Sequence, residues 1–135
     1  LEVRAALEEL AVQLACVRID KEGIENLKRA AENFKSTLDS DDITKIAEAD
    51  VAFHDIIYLA TDNQRLIQLL NNLREQMYRY RVEYLKQKDC YPQLLAEHQQ
   101  IIHALENGEK DVATKLTNQH IKNQVSAVSG VIRNK

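Results

Sequence analysis

The chain predicts an all-α fold, an antiparallel bundle of about six helices. Three observations carry this. Gly, Pro and Trp number three, one and none in 135 residues, so little punctuates strands or tight turns. Ala, Leu, Glu, Lys, Gln and Ile dominate, a composition that favours helix. Apolar residues recur at three- and four-residue spacing along most of the length. The length suits a single domain over residues 1–135, built around one hydrophobic core.

The first helix covers Leu1–Arg18, with Arg4, Leu7, Ala11, Leu14 and Arg18 on one stripe. The chain begins with Leu1 inside this pattern rather than with Met, which predicts a piece of a longer protein. Asp20 is the expected N-cap of a second helix running to about Leu38, with Ile24, Leu27, Ala31, Phe34 and Leu38 inward. Asp39–Ser40–Asp41–Asp42 is a turn and cap cluster. The third helix, about Ile43 to Leu59, turns Ile46, Ala47, Asp50, Phe53, His54 and Ile57 inward. Thr61–Asp62–Asn63 breaks and recaps the chain. A long fourth helix, about Gln64 to Gln87, carries a 4-3-4-3-4 seam of Leu66, Leu70, Leu73, Met77, Tyr80 and Tyr84. Pro92 opens the fifth helix, where its missing N–H costs nothing. Leu94, Leu95, His98, Ile101, Ile102 and Leu105 form its apolar side, and Gly108 suits the left-handed position after its end. The sixth helix, about Lys110 to Ile132, aligns Ala113, Leu116, Thr117, His120, Gln124 and Ala127.

Composition also bounds function. The formal net charge is −3, and positive and negative residues interleave, so no basic patch for nucleic acid stands out. Arg74, Arg79 and Arg81, with Tyr78 and Tyr80 between, read as an exposed helix face plus aromatic core positions. No apolar run reaches the roughly 20 residues of a membrane span, and no signal peptide is visible. Cys16 and Cys90 are isolated, consistent with two free thiols in a reducing cytosol.

Asp50, His54, His98 and His120 carry the chemistry. Asp50 and His54 lie four apart, one turn apart on one helix face. His98 and His120 lie on the inward stripes of two later helices. A buried imidazole needs a hydrogen-bond partner or a metal, and each histidine taken singly is served by an ordinary partner. One carboxylate and three imidazoles converging from three helices instead suggest a metal site. Such donors suit Zn, Ni, Mn or Fe and leave coordination positions open. His103 lies off the face of His98 at about 100° per residue and reads as a surface residue.

These residues resemble a known family. Val3–Arg4–Ala5–Ala6–Leu7–Glu8 is similar to the R-x-x-L-E opening of the FCD (FadR C-terminal) domain of GntR-type bacterial transcription regulators. Asp50–Val51–Ala52–Phe53–His54 is similar to its D-x-x-F-H. Ala60–Thr61–Asp62–Asn63, Glu97–His98 with Ala104, and Gly108 through Ala113 to His120 follow in the same order. The resemblance implies a ligand-sensing, dimerising domain. In the metal-binding branch an Asp and three His hold a divalent metal, and the roles fall on Asp50, His54, His98 and His120, with Zn the first expectation. A small organic acid coordinates that metal, with arginines balancing its charge. The partners implied are this effector, a second copy in a homodimer, and DNA only through an N-terminal winged helix-turn-helix that this chain lacks. The location implied is cytoplasmic, with no membrane contact.

Three residues are candidates for contacting the effector. Arg4 is a bidentate carboxylate clamp or a residue snorkelling at a helix end. Arg81, one step off the apolar seam, is a second clamp or a solvated charge. Asn123 donates to a ligand hydroxyl or faces solvent. The competing function is a metal-dependent hydrolase or another small helical metalloenzyme, since open positions on a metal can activate water. Glu97 and Asp55 neighbour the ligands in sequence but sit about 100° away on their helices, so neither is placed as a general base.

Overall fold

A computed structural model describes the backbone of residues 2–133 and the side chains of residues 2–127; the expected helix start at Leu1 lies outside the described residues. Among the described residues there are seven α-helices and no strand: α1 Glu2–Arg18, α2 Lys21–Thr37, α3 Ile43–Ala60, α4 Gln64–Asn72, α5 Arg74–Leu85, α6 Tyr91–Glu106 and α7 Lys110–Arg133. The fold is a helical bundle. Short 3₁₀ turns at Leu38–Ser40 and Lys88–Cys90 link α2 to α3 and α5 to α6.

The boundaries follow local chemistry. Asp20 caps α2 by accepting from the Gly23 N–H at 2.8 Å. Asp42 caps α3 through the N–H groups of Thr44 and Lys45, and Asn63 caps α4 through that of Leu66. Gly108, at φ 66°, ends α6. The Gly108 N–H donates to Leu105 and the Glu109 N–H to Ala104, the paired bonds of a Schellman motif.

The expected long fourth helix is two helices. Leu73 departs toward φ −98°, ψ 0°, and its N–H donates to the Leu70 carbonyl, three residues back, at 3.0 Å. Asn71 and Asn72, both poor helix formers, precede the break. The break lets α4 pack on α1 while α5 packs on α3 and α7. Leu66, Leu70, Met77 and Tyr84 are buried as the seam predicts, and Leu73 and Tyr80 are half-buried.

The inward face of α1 is also rotated from the expected stripe. Arg4, Glu8, Ala11, Val12 and Ala15 are buried, Leu7 and Leu14 are half-buried, and Arg18 is exposed. The rotation follows from burial on two sides, against α3 and α7.

Three apolar clusters form the core. Val12, Leu27, Phe53, Ile57, Ile101 and Leu105 belong to the first, Phe34, Ile46, Leu85 and Leu94 to the second, and Leu66, Leu70 and Met77 to the third. A set of buried polar side chains lies among them. No helix among the described residues is long and apolar enough to cross a membrane.

Candidate metal centre

The α3 helix presents Asp50 and His54 one turn apart, both buried. The α7 helix brings His120 to them. One ligand atom from each of Asp50, His54 and His120 lies within 4.8 Å of the others. His98, on α6, meets the same carboxylate: its Nε2 is 2.9 Å from Asp50 Oδ1. Its ring stacks on Phe53 at 4.2 Å between centroids and meets the edge of Phe34 at 4.7 Å. Three of the four expected residues therefore form the cluster, and the fourth is hydrogen-bonded to one of them. His103 is exposed beside Asn107 and Glu109.

Asp50 is the hub. Its Oδ1 also lies 3.5 Å from His54 Nε2, and its Oδ2 accepts from Arg81 Nε at 2.7 Å. Burial pushes the Asp50 carboxyl up. The proximity of His54, the hydrogen bond from His98 and the Arg81 guanidinium outweigh burial and hold it well below the usual carboxylate range. At His54 burial outweighs the attraction of Asp50, so the imidazole is pushed toward its neutral form, the form that ligates metal.

The hydrogen-bond network assigns the other tautomers. Gln124 Nε2 can only donate, and it lies 3.2 Å from His120 Nε2. His120 Nε2 therefore accepts, and Nδ1–H donates to Glu97 Oε2 at 2.9 Å. His98 donates from Nε2 to the ionised Asp50.

A second chain of contacts adjoins the first. Gln124 Oε1 accepts from the Arg4 guanidinium at 2.7 Å. Arg4 Nε pairs with Glu8 at 3.2 Å, and Glu8 accepts from the Tyr58 hydroxyl at 2.6 Å. Burial raises the Glu8 carboxyl, but Arg4 and Tyr58 more than offset this and leave it lowered. Between the two chains lies a cavity of about 20 Å³ lined by Glu8, Val12, Tyr58, Ile101, Thr117 and the His54 and His120 rings, among others. That is room for about one water molecule. A smaller cavity on the other side of His54 and Tyr58 is lined by Arg81, Met77 and Arg74.

Each expected effector-binding residue has a definite place. Arg4 is 4% exposed and ion-paired to Glu8, so it is not a snorkelling residue. Arg81 is likewise 4% exposed and ion-paired to Asp50, which excludes the solvated-charge reading. The turn at Leu73 resets the register of the helix that carries it. Asn123 is half-buried and donates to Glu97 Oε1 at 3.2 Å.

Sequence reasoning missed Glu8, Tyr58, Glu97 and Gln124 as members of this network. Glu97 was expected to point away from the ligands, yet it is buried, because α6 is packed against both α2 and α7. The available signal was apolar company at helical spacing. Glu97 precedes Ile101 and Ala104 by four and seven residues, and Glu8 precedes Ala11, Val12 and Ala15 by three, four and seven.

The residues fit a metal. His54 Nε2 is buried with no hydrogen-bond partner, whereas buried polar groups in folded proteins are nearly always satisfied. Ligand atoms about 2.1 Å from one ion lie roughly 3–4 Å apart, so contraction of about an ångström closes the cluster of three. Mixed nitrogen and carboxylate donors suit a first-row divalent ion.

The FCD domain model matches residues 1–123. The chain belongs to the FCD domain family, whose members are regulatory, effector-binding domains rather than catalysts. Comparison with curated proteins finds no match.

Proposed function

We propose that this domain senses a small organic acid through a divalent metal, Zn before Ni, Mn or Fe, held by Asp50, His54, His98 and His120. The observation that carries the reading is the buried cluster of Asp50, His54 and His120 with His54 Nε2 unpartnered. His98 would join by giving up the proton it now donates to Asp50, since a metal-bound imidazole nitrogen is deprotonated. Four protein ligands leave positions for an acid, whose burial without a counter-charge would be costly. Arg4, Arg81 and Asn123 stand around the site as its polar surround.

The family supports a place as the C-terminal domain of a GntR-type regulator in the cytoplasm, acting as a homodimer, with DNA contacted by a separate N-terminal domain. Acid binding would draw α1, α3, α6 and α7 together. It would alter DNA affinity only insofar as the acid binds the two states of the parent protein differently. The hydrolytic alternative needs a free general base. Glu8 and Glu97 are the nearest further carboxylates, and both are held, by Arg4 and Tyr58 and by His120, Gln93 and Asn123.

The test is metal analysis of untagged protein, followed by calorimetry with organic acids on metal-free and metal-loaded forms. Equal acid affinity in both forms would refute coordination of the acid by the metal. Full metal stoichiometry and affinity in His98→Ala would remove His98 from the ligand set.

A further inference from the structure

Gln124 is buried on α7, one turn after His120, and its side-chain amide has two partners. Oε1 accepts from Arg4 Nη2 at 2.7 Å, and Nε2 lies 3.2 Å from His120 Nε2. A guanidinium can only donate, so Arg4 fixes which end of the amide carries the oxygen. The NH₂ end therefore donates to His120 Nε2. His120 Nδ1–H is already given to Glu97, which leaves Nε2 as the ring nitrogen with a lone pair for a metal. There is one such lone pair. It cannot accept from Gln124 and bind an ion at once. His54 differs, because its Nε2 has no hydrogen-bond partner to displace.

We propose that Gln124 is a relay: it holds the His120 lone pair in the metal-free domain, and metal binding expels it and releases Arg4. The proposal rests on the metal-centre reading above. The amide is planar, by the resonance that flattens a peptide bond, so its nitrogen cannot leave His120 without moving its oxygen. Arg4 Nη1 is without a partner, so loss of Gln124 leaves Glu8, on the same helix, as the remaining hydrogen-bond partner of Arg4 among the described residues. The Arg4–Gln124 bond ties α1 to α7, and the two helices pack on one another. Further along α1, Gln13 Nε2 donates to Thr114 Oγ1 of α7 at 3.2 Å and holds that end in place. The release therefore acts on the first turns of α1. The same hydrogen bond opposes the metal, which must break it to bind. By linkage, the factor that Gln124 takes from metal affinity is the factor by which the metal weakens the grip of Gln124.

The experiment measures Zn affinity by chelator competition in the parent domain and in Gln124→Met, which keeps the volume and removes the amide. One net hydrogen bond corresponds to about three- to tenfold in affinity, so Gln124→Met should bind Zn tighter by about that factor. A residue that merely supports the site would lower affinity when replaced, not raise it. Gln124→Asn is one methylene too short to reach both partners, and it should tighten binding by a smaller factor should Gln124→Met fail to fold. Hydrogen exchange reads the output. In the parent domain Zn should speed amide exchange over residues 6–12 of α1 while slowing it in α3. Unchanged or weaker Zn affinity in the folded variant, or α1 slowed by Zn as much as α3, overturns the relay and leaves the metal centre standing. A parent domain that binds no Zn overturns both.

Discussion

Glu97→Gln isolates what the carboxylate behind His120 does. Glu97 Oε2 accepts from His120 Nδ1–H at 2.9 Å, and Oε1 accepts from Gln93 and Asn123. An amide has one oxygen for these three donors. With its NH₂ toward His120, the ring must move its proton to Nε2, the nitrogen that faces the metal cluster. With its oxygen toward His120, the NH₂ faces two donors. Either arrangement loses a buried hydrogen bond and the negative charge that makes the imidazole a stronger ligand. Changes of this kind behind a ligating histidine cost about 10–100-fold in metal affinity, or ~1.4–2.7 kcal/mol. The assay is competition for Zn against a chromogenic chelator, with circular dichroism confirming the fold. A metal affinity within twofold of the parent would refute the argument that Glu97 orients and strengthens His120. Asn123→Ala, which removes one donor from Glu97, should have a smaller effect in the same direction.

Further outcomes are expected. Arg81→Met leaves Asp50 buried without its cation and should cost about 3–5 kcal/mol in urea unfolding of the metal-free domain; a loss below about 1 kcal/mol would mean the pair is solvated in solution. Glu8 and Asp50 have lowered carboxyls, so their stabilisation is present above the ordinary values of 4.5 and 3.8 and is lost as pH falls through the folded values. The urea midpoint should therefore drop between about pH 5 and pH 2, and a midpoint flat across that range would contradict it. Burial pushes the Cys90 thiol up to about 12, so it should resist a thiol reagent at pH 8 in the native domain and react in denaturant. Rapid modification of both cysteines in the native state would show that α6 opens readily at its start.

The helices were legible because their signals are local. Asp20, Asp42, Asn63 and Gly108 mark ends through contacts within a few residues, and the structure uses each as a cap or turn. The break at Leu73 was not legible, since it satisfies the different demands of α1 against α4 and of α3 and α7 against α5. Asp50, His54 and His120 could be grouped because each shares a stripe with apolar neighbours. Arg81 could not be placed on those grounds, and for Glu8 and Glu97 an apolar stripe signals burial without naming the partner. Their burial depends on a partner far along the chain, such as Asp50 for Arg81, 31 residues away. Buried charges are held in pairs, and a single stripe shows only one half of a pair.

Removal of metal tests how the site and the fold depend on each other. The proposed ligands come from α3, α6 and α7, and His54 Nε2 has no other partner. A metal-free core must therefore tolerate an unsatisfied nitrogen and a cluster of charges, which weakens packing where those helices meet. An ion bound only by the folded state adds RT ln(1 + [L]/Kd), about 2.7 kcal/mol at one hundred times Kd. Unfolding entropy of ~2.1 cal/mol/K per residue over 135 residues gives ~0.28 kcal/mol/K. The melting temperature should then fall by ~10 °C on chelation. His103→Ala should show the same shift, because that ring is exposed and apart from the site. His54→Ala should melt at one temperature with or without metal. A parent domain whose melting temperature ignores both added Zn and chelator would show that these imidazoles are packing residues and that the reading of the site as a metal centre is wrong.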